Sequence, residues 1–344
     1  MRTYIAYPPL QKSSGGTAVL ETMARHLLSA GHDVVMVPRD PATAPPLSGL
    51  PLHNWDDAAP GKRDIWLVPE GWPSLLLPGL RGNARTVIYV QNWAYLPGSV
   101  PDGLSLKDLP LHFLAVSQPV AWHARTFFGK ESEILRPGVD LARFFAPPRD
   151  PAQALMPGET VRIAWMPRKN KALAQQIRDM LAARLALRHL PAPEWVPVHH
   201  LTQDQVAETF RSCHMFLASG FPEGCPLPPL EAMACGCLVA GFGGFGGWDY
   251  MRQAWPNGFT PWWPADEHSW GGNGLYAADA DIIAAALALE YGLALLANGG
   301  QELAGIQASA TATAAAYSLQ AQDARLRELW GRVEEDVALS PFLG

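Results

Sequence analysis

Charge is scarce in this sequence, and basic charge scarcer still. Only 17% of the 344 residues are charged, with 26 Lys and Arg against 32 Asp and Glu. The resulting net charge of −6 offers no basic footprint, so a nucleic-acid partner is not expected. Cysteine is almost missing: of four, Cys225, Cys235 and Cys237 share one segment of small residues. No histidine stands near them at zinc spacing, and they read as buried thiols of a reducing cytoplasm rather than a disulfide framework. No apolar run of about 18 residues is free of charge and proline, so no membrane span is expected, while contact with a membrane surface is left open. The opening MRTYIAYPPL is cut off by Pro8 and Pro9 before it reaches the length of a signal peptide's apolar region. The dinucleotide fingerprint G-x-G-x-x-G is missing too, which disfavours a nicotinamide oxidoreductase. No D-x-D stands where it would hold a metal: Asp279-Ala280-Asp281 opens an Ala-rich helical run and reads as a helix cap. Neither a metal nor another cofactor is therefore expected.

What remains is a chain that is 48% hydrophobic and rich in proline, with 32 residues of it. Its length suits two domains of about 150 to 170 residues. Thr3 to Tyr7 reads as a buried strand and Gly15-Gly16 as a loop. Thr17 to Ala30 reads as a helix closed by Gly31, and Asp33 to Pro38 as a second strand. Strand, glycine loop, helix, strand is the opening of a doubly wound parallel α/β sheet. Continuous apolar runs at Ile65 to Pro69, Thr86 to Gln91 and His112 to Ser117 read as further strands covered on both faces. Ligands of such sheets bind at the carboxyl ends of the strands, which makes the amides of Gln91 and Asn92, with Trp93 beside them, candidates for binding hydroxyl groups.

A proline-rich connector, Pro147 to Glu159, precedes a restart of the same pattern, so the expected domains are 1–148, 149–318 and a C-terminal helix, 319–344. Val161 to Met166 reads as a strand that runs into Pro167-Arg168-Lys169-Asn170-Lys171 and a helix. Three cations at a strand's carboxyl end, beside a helix N-terminus, suit a diphosphate. Strands follow at Val196 to His200, Met215 to Ser219 and Leu238 to Gly241; helices follow at Thr202, at Asp281 to Leu296 and at Ala308 to Leu339.

The segment FPEGCPLPPLEAMACGCLVAGFGGFGGW, Phe221 to Trp248, carries the most information. Pro228 and Pro229 start a helix and place Glu231 near its N-terminus, while Glu223-Gly224-Cys225 forms a loop whose backbone can come close to a ligand, because Gly224 has no Cβ. Two acids facing one pocket would accept hydrogen bonds from vicinal hydroxyls, as sugars and riboses present them. Beyond lie four glycines in GGFGG and a tryptophan cluster, Trp255, Trp262, Trp263 and Trp270. Those rings either stack on a sugar or pack their loop onto its own domain.

The run E-G-C-P-L-P-P-L-E-A-M-A-C-G resembles the E-x7-E signature of the family 4 glycosyltransferases of GT-B fold, and EILRPGVD, Glu133 to Asp140, resembles the passage that leads out of their first domain. The resemblance implies two Rossmann-like domains facing a central cleft, with the last helix, through Leu326, Leu329, Trp330 and Val333, crossing back to the first. It implies transfer of a sugar from a UDP- or GDP-sugar to a saccharide, lipid-linked or small-molecule acceptor in glycan biosynthesis, with retention of configuration. Catalytic roles then fall to Arg168, Lys171 and Glu223. Donor contacts fall to Gly15, Gly16, Lys169, Gly224, Cys225, Pro226, Leu227, Glu231, Gly243 and Gly244, and acceptor contacts to Gln91, Asn92 and Trp93. The histidine that many members carry near a first-domain strand end has no counterpart here. A nucleotide-sugar epimerase on the same fold and a noncatalytic sugar-binding relative remain the rival readings.

Overall fold

The computed structural model describes all residues except 11–13, 43–46, 102, 148–151, 157, 264–267, 269 and 335–344. The chain divides into two compact units, one made of 1–137 with 320–344, the other of 138–319.

The first unit holds β1 (Arg2–Tyr7), α1 (Gly15–Ser29), β2 (Asp33–Pro38), β3 (Ile65–Pro69), α2 (Leu77–Arg81), β4 (Arg85–Val90), β5 (Leu111–Ala115), α3 (Gln118–Phe128) and β6 (Glu133–Ile134). Its strands form one sheet in the order β2-β1-β3-β4-β5-β6, parallel at every pairing. Because both faces are covered, Ile5, Leu67, Ile88 and Phe113 are all buried in successive strands. Gly15 and Gly16, expected in a loop, are the first residues of α1: Ser14 accepts the N–H of Thr17, and Thr17 answers with its own hydroxyl, so the cap draws the glycines into the first turn.

The second unit holds β7 (Arg162–Trp165), α4 (Lys171–Leu187), β8 (Glu194–Pro197), α5 (Gln203–Arg211), β9 (Met215–Ala218), α6 (Leu227–Ala234), β10 (Leu238–Phe242), β11 (Leu275–Ala277), α7 (Ile282–Asn298) and α8 (Gln301–Ala316). The sheet order is β11-β10-β9-β7-β8, again all parallel. The order reverses between β7 and β9, which is where open α/β sheets bind ligands. The division at Pro137 and Gly138 lies ahead of the expected 148 because Phe144 is already buried in the second unit's core.

The helix expected over Ala308 to Leu339 is interrupted. α8 stops at Ala316 and α9 (Leu319–Glu334) restarts, because the Val139 N–H donates to Tyr317 O and the Leu319 N–H to Val139 O, diverting both from a helical ladder. Residues 335–339 of that expected helix lie outside the described residues. From Gln320 onward α9 belongs to the first unit, where Leu326, Leu329, Trp330 and Val333 are buried. The Trp330 indole donates to Thr3 Oγ1 at 2.9 Å, and Arg325 and Arg332 meet the two oxygens of Glu133 at 2.6 and 2.7 Å. Among the described residues no single helix is long and apolar enough to cross a membrane, though α7 and α8, bent by 112°, pass that test as a pair.

Candidate functional site

In the second unit, the loop leaving β7 and the loop leaving β9 are stitched together at the reversal point. Asn170 takes φ 50°, a left-handed conformation that Asn tolerates, and its side-chain amide donates to Ser219 O and Phe221 O, both at 2.9 Å. Ser219 Oγ donates back to Lys169 O at 2.7 Å. The stitching brings the Lys169 ammonium onto Glu223 Oε1 as a half-buried ion pair. Of the three expected cations, Lys169 therefore makes the carboxylate contact. Arg168 stands exposed beside it, and Lys171 opens α4 as an exposed residue.

Glu231, expected at the start of its helix, sits in the second turn of α6, since Pro226 is the N-cap and Leu227 the first helical residue. Its carboxyl is governed by burial rather than by the helix end. Desolvation pushes it up to about 7, against the lowering pull of Arg168 and Arg143. Arg143 went unread in the sequence; it is tethered by Asp204 at 2.8 Å.

The glycine-rich loop after β10 folds against the first acid. A Cβ on Gly246 would overlap the carbonyl of Gly224, so it is the bare Cα of Gly246 that lets the two main chains meet. Pro226 is buried and its carbonyl accepts the Tyr250 hydroxyl at 2.6 Å, while Cys225 and Leu227 pack against the apolar core. Gly244 donates its N–H to Asp279 Oδ1 at 2.7 Å. Asp281 caps α7 as expected of the Asp279-Ala280-Asp281 run, but Asp279 turns to the glycine loop instead. A cavity of about 20 Å³, lined by Lys169, Ser219, Glu223, Pro226 and Pro228 among others, adjoins the ion pair and has room for one water. A cavity of about 410 Å³, lined by Glu159, Arg211, His214 and Cys235 among others, shares none of its lining.

Of the tryptophans, Trp255 is buried, Trp263 and Trp270 pack against the core, and Trp262 is exposed.

In the first unit, buried Glu70 at the end of β3 accepts the N–H of Gln91 at 2.9 Å and of Asn92 at 2.8 Å, one on each oxygen. Desolvation raises this carboxyl to about 7 despite those bonds. Asn92 Oδ1 caps the turn that follows by accepting the Ala94 N–H, and Trp93 packs near His123 with ring centroids 5.5 Å apart. The Gln91 side chain lies against Gly16: a Cβ there would stand 3.0 Å from Gln91 Oε1. His112 is half-buried in β5, where burial lowers its pKa.

No family model matches the sequence, and no curated protein matches it. Solved structures do. A glycosyltransferase from Rickettsia africae ESF-5 is similar over 98% of this chain and 99% of its own, with a TM-score of 0.65 at 15% identity. The catalytic domain of starch synthase IV from Arabidopsis thaliana, bound to ADP and acarbose, is similar over 97% and 99%, with a TM-score of 0.65 at 14% identity. The pneumococcal O-GlcNAc transferase GtfA, in complex with UDP and GlcNAc, is similar over 98% and 99%, with a TM-score of 0.57 at 10% identity. The fold class is GT-B, with two parallel-sheet α/β units, and identity this low speaks to fold alone.

Proposed function

We propose that this protein is a glycosyltransferase that moves a sugar from a nucleotide-diphosphate donor onto a saccharide, lipid-linked or small-molecule acceptor. The observation that carries the reading is the Lys169–Glu223 pair with Arg168 beside it, at the strand-order reversal of the second unit. Glycosyl transfer builds positive charge on the sugar ring while negative charge grows on the leaving diphosphate. Preorganised cations stabilise that leaving group, and they do so most where water is excluded. Arg168, Lys169 and Lys171, with the N-terminus of α4, supply such a potential, so the reading asks for no metal or other cofactor.

Glu223 is the proposed sugar-facing acid. A carboxylate already paired with an ammonium is a poor nucleophile, which favours a role in orienting the donor and fits the retaining, family 4 reading. Glu231 is the proposed partner of the ribose hydroxyls. Gly15, Gly16, Gly224, Cys225, Pro226, Leu227, Gly243 and Gly244 are the proposed main-chain surroundings of the donor. Gln91, Asn92 and Trp93 are the proposed acceptor contacts, and the UDP or GDP base belongs to the same reading.

Incubation with a panel of UDP- and GDP-sugars tests it. Release of nucleoside diphosphate, enhanced by acceptor, is the expected result. Epimerised donor, or donor bound without turnover, would overturn transfer in favour of one of the rivals.

A further inference from the structure

The glycine-rich loop contains an arrangement that the proposed roles leave unused. Phe245 stands at φ 68° and ψ −61°, and the Gly246 N–H donates to Gly244 O at 3.0 Å. That is a γ-turn with a side chain at its strained centre, a conformation that persists only where its surroundings hold it. Glu223 is bonded to this turn on both sides: its N–H donates to Gly244 O at 2.9 Å, and the Gly246 N–H donates to its carbonyl at 3.0 Å. The turn also walls in the side chain. A Cβ on Gly244 would stand 2.6 Å from Glu223 Cβ, and one on Gly220, across the chain, 2.5 Å from Glu223 Oε1.

What holds the turn from behind is Asp279, beyond the end of β11. Its carboxylate accepts the Gly244 N–H at 2.7 Å. The amides of Gly243 and Phe245, on either side, favour its charged form.

We propose that Asp279 is a positioning residue for Glu223: by anchoring the Gly244 amide it fixes the main chain that delivers the Glu223 carboxylate to Lys169. This rests on the reading of Glu223 as the sugar-facing acid. Asp279 acts through the turn and is assigned no contact with substrate.

Two measurements test the proposal in the full-length protein: hydrogen exchange of peptides spanning 220–247, and donor turnover resolved into kcat and KM. Asp279→Ala is expected to speed exchange across that span. It is also expected to lower kcat by about 100-fold, the cost of misplacing a catalytic group by roughly an ångström, with donor KM nearly unchanged. Asp279→Asn keeps an acceptor oxygen and is expected to restore most of both. Asp281→Ala removes the neighbouring helix cap and is expected to lower thermal stability while sparing kcat. Asp279→Glu covers the case in which the alanine variant does not fold, since it keeps the charge, pushes the turn outward and is expected to lose kcat.

Unchanged exchange in Asp279→Ala would overturn the proposal, as would full kcat in Asp279→Glu or a kcat loss no greater than that of Asp281→Ala. Should the wild-type protein turn over no nucleotide sugar, the proposed function fails by itself. The exchange comparison between the alanine and asparagine variants still decides whether Asp279 holds the turn.

Discussion

Lys169 and Glu223, fifty-four positions apart, meet as an ion pair because Asn170 and Ser219 tie their two loops into one surface. Each charge is the other's solvent. Removing one leaves its partner part-buried and uncompensated, so Glu223→Gln and Lys169→Met are each expected to lower turnover by about 100-fold or more. The double variant is expected to lose little beyond either single one, as groups acting as a unit do. A double-mutant cycle on kcat checks this, and independent, additive losses would speak against a working pair.

Arg168 bears on the Glu231 carboxyl without bonding it. If its main duty is the departing diphosphate, its value rises as charge develops. Arg168→Ala should then lower kcat by more than it raises the dissociation constant of the donor, measured by steady-state kinetics beside calorimetry.

Glu231 gives a pH signature with a definite sign. Its folded pKa of about 7 lies above the ordinary 4.5, so the folded protein holds this proton more tightly than the unfolded chain. The stability this contributes is fully present below about pH 4.5 and is lost as pH rises through 7. Thermal unfolding from pH 5 to 8 should show Tm falling, and Glu231→Gln should flatten that fall and raise Tm at pH 8. Glu231→Ala should also weaken the stabilisation conferred by nucleoside diphosphates.

Gly246 is the position where the glycine loop tolerates least. A Cβ there would overlap the carbonyl of Gly224. Gly246→Ala is expected to force the loop off Glu223 and to cost activity and on the order of 1 to 3 kcal/mol of stability, seen by denaturant titration. An alanine variant with unchanged kcat and midpoint would mean that the loop relaxes freely.

Trp330 is 3% exposed and anchors α9. Trp330→Ala should cost about 3 to 5 kcal/mol, whereas Trp330→Phe, which mainly forfeits the bond to Thr3, should cost about 1. Urea unfolding separates the two.

Much of this architecture was legible in the chain itself. Continuous apolar runs such as DVVMVP and IWLVP, short and rich in β-branched residues, read as strands of a sheet covered on both faces, and they are. The cationic corner was legible as well, because three charges in five residues directly follow such a strand. What escaped was everything set by through-space pairing. Nothing local to Asn170 says that its amide will cross to Ser219, and nothing local to Asp279 separates it from the capping Asp281 two positions on. Lys169 and Lys171 look alike on the page; only the left-handed residue between them sends one to Glu223 and the other into a helix. The break between α8 and α9 was hidden for the same reason, since Val139, far back in the chain, supplies it.

Thr3 finds its indole partner 327 residues downstream. During synthesis the first unit therefore waits. Its strand β1 is made well before the helix that seals it, and the whole of 138–319 is made in between. A nascent chain arrested before α9 should expose a seam that the finished protein never shows, and chaperones would meet it there first.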